Sequence, residues 1–152
     1  MGGSDDERHL VDRPVLDRRG CAGAIEFYKQ AFGATERVRL EAPESRIGHA
    51  ELVIGGASVM VCDALPWFST RSPKELGGTS ASVLMHVADV DAVVRQAVDA
   101  GATVARDVAD QFWGDRLGEV HDPFGHSWLI STHVEDLTPE EIAERARAAR
   151  AG

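Results

Sequence analysis

Cysteine is scarce. Two in 152 residues, Cys21 and Cys62, are too few for a disulfide scaffold or a cysteine-rich zinc site, and both are expected as reduced thiols. Long hydrophobic runs are missing. No stretch approaches the ~20 apolar residues of a membrane span. No N-terminal apolar segment has the form of a signal peptide, so a cytoplasmic location is expected. A surplus of positive charge is missing too. Lys plus Arg number 16 against 25 Asp plus Glu, a formal net charge of −9. That balance argues against nucleic acid and anionic membranes as partners, since both require a basic surface. The chain also lacks a G-x-S-x-G nucleophile elbow, a G-x-G-x-x-G turn and a Walker loop. What is present is an ordinary globular mix, 43% hydrophobic and 27% charged, at a length that suits one domain or two small modules sharing a core.

The chain repeats itself. Gly33-Ala34-Thr35 recurs as Gly101-Ala102-Thr103. Arg46-Ile47-Gly48 recurs as Arg116-Leu117-Gly118, and Gly56-x-Ser58 as Gly125-x-Ser127. Three matches in one order at nearly one offset indicate two copies of a single unit. Val90, Val93, Val94, Ala97 and Val98 fall at helical spacing, with Asp89 able to cap the start and Gly101 the end. Ala24, Ile25, Tyr28, Ala31 and Phe32 make a similar stripe ending at Gly33. Strand-like runs follow each helix, at about 36–41, 47–54 and 57–62, and at about 103–108, 115–121 and 126–132. Gly55-Gly56 suits a two-residue hairpin, and Asp122-Pro123-Phe124-Gly125 a type I turn. Ser82 to Val87 precedes the second helix as a strand. The predicted fold class is α+β: two tandem βαβββ modules, at 10–63 and 81–133, joined by a connection over 64–80. A lead-in over 1–9 and a helical tail over 134–152 flank them. Thr138-Pro139-Glu140-Glu141 is a capping box that starts the tail helix.

The wording of three segments is specific. AIEFYKQAFGA at 24–34, SPKELGGTSASVLMHVADVDA at 72–92 and FWGDRLGEVHDPFGHSWLISTHVEDLTPEE at 112–141 resemble the vicinal oxygen chelate superfamily, in its PhnB-like branch. That superfamily includes glyoxalase I, bleomycin-resistance proteins and extradiol dioxygenases. The resemblance implies a cupped mixed sheet in each module, a ligand cavity in the cup, and a homodimer. It implies no particular reaction. The resemblance weakens at Pro14-Val15-Leu16-Asp17-Arg18, where related chains read Pro-Tyr-Leu-Ile-Val, wording that a shifted reading frame up to about Gly20 would account for.

Catalytic members of the superfamily hold a divalent ion with His, Glu or Gln from four strands. Counting from the shared motifs puts those positions at Arg13, Met60, Ser82 and Leu129. Arginine cannot ligate a cation, leucine has no donor atom, and a thioether is too soft for Mg, Mn or Zn. The expectation is therefore no metal and no cofactor. A different centre built from His49, Glu51 and His86 is weighed against the simpler reading, polar residues on a half-wet face. The predicted ligand-binding set is Met60, Cys62, Leu84 and Leu129 as a soft wall, with His49, Glu51, Ser82, His86, Trp113 and Arg116 orienting a small, partly apolar molecule. Trp113 offers a stacking plate and Arg116 a fork. The alternative for these two is an Asp115–Arg116 pair holding the loop while Trp113 fills the core. Trp67 and Phe68, in the connection, are read as a lid or a dimer contact. The alternative function is a lyase or isomerase with Glu51 or a histidine as general base.

Overall fold

The computed structural model describes residues 20–152. The expected first strand, with Arg13 and Pro14 to Arg18, lies outside these residues. The elements follow in the order α1 Gly20–Phe32, β1 Thr35–Ala42, β2 Arg46–Ile54, β3 Ala57–Val61, α2 Pro73–Leu76, β4 Ser82–His86, α3 Val90–Ala100, β5 Thr103–Asp110, β6 Asp115–His121, β7 Ser127–His133 and α4 Pro139–Ala151. The architecture is α+β, as read from the repeat. One sheet runs β1-β2-β3, all antiparallel. The other runs β4-β7-β6-β5, with β4 parallel to β7 and the remaining pairs antiparallel. The short helix α2 interrupts the expected connection. Ser72 caps it, the Glu75 side chain returns the bond to the Ser72 N–H, and Pro73 opens its first turn.

The core sits between the sheets, on the helices. α1 packs on β2, and α3 on β5, β6 and β7, while α1 and α3 pack on each other. Gln96 of α3 donates to the Gln30 and Ala31 carbonyls near the end of α1, at 2.9 and 3.1 Å, satisfying orphan acceptors of that helix. The aromatic stripe of α1 reaches across to the second unit: the Phe32 and Tyr28 rings lie 4.7 and 5.3 Å from Trp128. Ile25, Leu52, Val120 and Ile130 are wholly enclosed around them. Trp128 and Ile130 share the helix-facing side of β7, as alternation predicts.

Asp122 ties the units together. This buried side chain accepts from Tyr28 Oη at 2.6 Å, Trp128 Nε1 at 3.0 Å, and the Phe124 and His126 N–H groups at 2.9 and 3.0 Å. Burial first, then the neighbouring Asp122, push the Tyr28 hydroxyl far above its ordinary titration range, so it remains a donor.

Each sheet leaves part of its other face open, although Leu117, Ser127 and Ser131 on that face of the second sheet are buried. β1 is exposed or half-buried along its whole length, and four of the five residues of β4 are exposed. Among the described residues no substantial contact joins strands of one sheet to strands of the other. The two concave faces therefore point away from the helices separately within one chain. α4 buries none of its residues; Arg145 anchors it with a two-pronged bond to Glu135, both distances 2.8 Å.

Candidate functional site

Strand register determines which side chains share each concave face. On the first sheet Glu51 stands opposite Met60 and Val38, and His49 opposite Leu40. Cys62 follows just past β3 and is exposed. Met60 is 70% exposed and Leu40 58%, an unusual exposure for apolar side chains in a sheet. Cys21, by contrast, is buried, and desolvation, then Asp63, push its thiol up to about 12, so it is inert.

On the second sheet one row holds Ser82, Ser127, His121 and Thr103, and the next Leu84, Leu129, Glu119 and Arg106. His86 stands in the third row with Ser131 and Leu117. Of the predicted set, His49, Glu51, Met60 and Cys62 thus belong to one sheet, and Ser82, Leu84, His86 and Leu129 to the other. A single wall made of all the soft residues is not assembled within one chain.

Trp113 and Arg116 sit elsewhere. Arg116 pairs with Thr132 in register, on the helix-facing side, and its guanidinium spans Asp91 of α3 at 2.8 and 3.0 Å and Asp110 at 3.0 Å. The fork is occupied by carboxylates. The alternative, an Asp115–Arg116 pair, does not form either, because the two side chains project to opposite faces of β6. Asp115 instead accepts from Trp113 Nε1 at 3.2 Å and bonds His133 Nδ1 at 3.0 Å. Trp67 and Phe68 are 60% and 51% exposed in the connection, their ring centroids 6.5 Å apart.

The faces share a device outside the predicted set. Arg37 and Ser58 both reach Glu51, at 3.4 and 3.2 Å. Arg106 lies 3.8 Å from Glu119, and Ser127 donates to Glu119 at 2.8 Å. Arg37 and Arg106 stand at the same offset as Ser58 and Ser127, and Glu51 and Glu119 fall one position short of it. The same Arg–Glu–Ser cluster is built twice, and the repeat offset carries a signal for its arginines and serines. Ser127, helped by His121 and Arg106 against the cost of partial burial, holds Glu119 below the usual carboxylate range.

Two clefts adjoin these faces. One, of about 770 Å³, opens beside β3, the last strand of the first sheet among the described residues, and brings Met60 and Cys62 together with Arg46, Arg71, Lys74 and His126. The other, of about 520 Å³, lies under residues 73–80 and contains Ser82, Glu119, His121 and Ser127.

The superfamily's metal does not fit the side chains that occupy its positions. Met60 and Leu129 face the concave surfaces and offer no hard donor, and the Ser82 hydroxyl is bonded to Ser127 at 2.9 Å. His49 and Glu51 lie on a different sheet from His86, so the three do not converge. Among the described residues no three His, Cys, Asp or Glu side chains lie close enough to hold an ion. Nor is any described helix long and apolar enough to cross a membrane.

Known proteins match this fold and wording. A family model described as the Glyoxalase/Bleomycin resistance protein/Dioxygenase superfamily matches residues 11–130. An uncharacterized protein of Mycobacterium tuberculosis is 43% identical over 132 residues, 85% of this chain and 78% of that protein. A solved gene product of Arabidopsis thaliana is 38% identical, with coverage of 71% and 84% of the two chains and a TM-score of 0.57. TioX from Micromonospora sp. ML1 is 30% identical, with coverage of 76% and 89% and a TM-score of 0.56. A PhnB protein of Bacillus cereus, 17% identical with a TM-score of 0.54 over 72% and 88% of the two chains, shares the fold. The chain belongs to the glyoxalase/bleomycin resistance protein/dioxygenase superfamily.

Proposed function

We propose that this chain binds a small, partly apolar molecule on its concave faces without a resident divalent metal, and that a second copy completes the binding cup. One observation carries the reading. The side chains at the superfamily's metal positions, Met60 and Leu129 above all, are soft and apolar, and they sit on the open faces of the two sheets. Val38, Leu40 and Met60 on one face and Leu84 on the other leave apolar surface in water that a ligand and a partner copy would cover. The polar groups around them are few, as in small-molecule pockets generally. A general-base role for Glu51 is less well supported, because Arg37 and Ser58 already occupy that carboxylate.

The test is a thermal-shift screen of apolar small molecules, run with and without divalent ions, beside light scattering and elemental analysis. The expected outcome is a ligand-dependent rise in melting temperature that EDTA leaves unchanged, and a dimer at micromolar concentration. About one metal per chain, lost in His49→Ala, would overturn the metal-free reading. A monomer would overturn the shared cup. A cytoplasmic location belongs to the same proposal, and fractionation of the source cells checks it.

A further inference from the structure

The polarity of the hydrogen bonds on the second concave face follows from counting protons. Glu119 is a carboxylate and only accepts. Ser127 spends its single hydroxyl proton on Glu119 Oε1, at 2.8 Å, and His121 Nε2 lies 3.3 Å from the same oxygen. The 2.9 Å bond between Ser82 and Ser127 must then be donated by Ser82. Ser82 Oγ is left with lone pairs and no proton to give. Glu119 Oε2 accepts no hydrogen bond among the described residues, since Arg106 stops 3.8 Å away, an ion pair beyond hydrogen-bond reach. Ser82 and Glu119 both line the 520 Å³ cleft, and Lys74 lines it with them. Ser82 is exposed, and so is Leu84, the next side chain on the same face of β4.

This arrangement selects among ligand chemistries. A carboxylate or phosphate would meet Glu119 and the lone pairs of Ser82, a like-signed contact that Lys74 and the His121 ring offset only in part. An ammonium suits Glu119 but shares the cleft with Lys74. An alkyl or aryl surface would strand two acceptors without partners. A hydroxyl group donates to Ser82 or Glu119 and accepts from Lys74. A pair of adjacent hydroxyls can serve both acceptors at once.

We infer that the cleft between residues 73–80 and the starts of β4 and β7 is a subsite for adjacent hydroxyl groups, with the apolar body of the same molecule lying on Leu84 and Leu129. The inference rests on the small-molecule reading above and narrows its ligand to a hydroxylated amphiphile. Ser82 is a specificity-determining residue in this account. Glu119 acts by fixing, through Ser127, which way the Ser82 proton points.

Hexyl β-glucoside, below its micelle concentration, is a suitable probe, and its per-O-methyl derivative keeps the apolar body while removing every donor. Binding of both to the wild-type protein is followed by NMR line broadening and calorimetry. The expected result is millimolar binding of the glucoside and at least about tenfold weaker binding of the methylated form. Ser82→Ala, at an exposed edge-strand position, should weaken the glucoside at least about fivefold while leaving the methylated form unchanged. Equal binding of the two probes by wild type overturns the hydroxyl subsite and leaves the apolar-ligand reading standing. Binding of neither probe overturns the hydroxyl subsite, and only if the wider screen also gives no shift does the small-molecule reading fall with it. The two-probe comparison needs no variant, so the inference stays open to refutation even if Ser82→Ala folds poorly.

Discussion

The two units solve one structural problem with different side chains. Each must cap the helix that follows its opening segment. In the first, Asp63 accepts from the Cys21 and Ile47 N–H groups, both at 2.7 Å. In the second, Thr132 accepts from the Val90 N–H at 2.8 Å and donates to the Val87 carbonyl at 3.0 Å. Cys21 and Val90 are separated by the repeat offset, and so are Asp63 and Thr132. The brace at that position has been kept while its chemistry diverged, from a carboxylate at α1 to a neutral hydroxyl at α3, where the carboxylate cap comes instead from Asp89, which accepts from the Ala92 N–H at 3.0 Å. The hairpin turns diverged further. Gly55 and Gly56 close the first with open space around them, whereas Asp122 opens the second and binds back into the first unit. The second unit thus carries the joint between the two, and it also carries the polar row that begins at Ser82.

The sharpest way to break the asymmetry is to remove Asp122. Asp122→Ala would leave Tyr28 Oη and Trp128 Nε1 as buried donors without an acceptor, together with two N–H groups of the turn. The expected cost is about 3–5 kcal/mol, read from denaturant unfolding. Tyr28→Phe removes one donor and leaves three, and should cost about 1–2 kcal/mol. If Asp122→Ala costs no more than Tyr28→Phe, the joint is not where the units are held together.

The caps come next. Asp63→Ala leaves two N–H groups unpaired and is expected to cost about 1.5–3 kcal/mol, against about 1 kcal/mol for Thr132→Ala. Equal losses would mean that the carboxylate's charge adds nothing at the first helix. The paired clusters should move stability less. Glu51→Gln and Glu119→Gln keep an accepting oxygen for Ser58 and Ser127, so each should cost under about 1 kcal/mol. They should nonetheless separate in function. Glu119→Gln places a donor in the Ser82 cleft and should weaken the glucoside, while Glu51→Gln, which touches neither Ser127 nor Ser82, should weaken it less.

Most of the scaffold was legible because periodicity reports burial. The stripes on α1 and α3 and the near-alternation in β2 are consequences of having one wet and one dry face, whereas β6 and β7 bury residues on both faces. The helix stops at Gly33 and Gly101 and the cap at Thr138 were legible for local reasons, in the positive φ of the glycines and the capping box. The site was less legible. Alternation places Ser82, Leu84, Leu129 and His86 on one face, but it does not tell which sheet faces which. The predicted wall therefore combines residues of both sheets. Arg116 and Trp113 belong to that predicted wall on chemical character alone. A guanidinium or an indole is equally suited to a ligand and to Asp91 or Asp115, and only the tertiary fold decides. Glu119 and Ser127 echo Glu51 and Ser58 at or near the repeat offset, but two glutamates and two serines mean little until register puts them side by side.

The smallest expected effect tests the second unit's link to the tail. His133 Nε2 is 2.7 Å from Asp136 and Nδ1 3.0 Å from Asp115, which bridges the end of β7 to β6 and to the segment leading into α4. Hydrogen bonds to Asp136, and then to Asp115, raise its pKa above the ordinary histidine value against a small opposing effect of desolvation. A group whose folded pKa is raised stabilises most when it is protonated in both states. Its contribution is complete below the unfolded value of about 6.5 and is lost as pH climbs through the raised folded value. The side chain is exposed and screened by solvent, so the effect is modest. The melting temperature should fall slightly between about pH 6 and pH 8, and the fall should shrink in His133→Gln and at high salt. The first unit has no side chain to match this bridge, since Ala64 occupies the position that the repeat offset pairs with His133. A pH slope that persists unchanged in His133→Gln would show that other titrating groups set it.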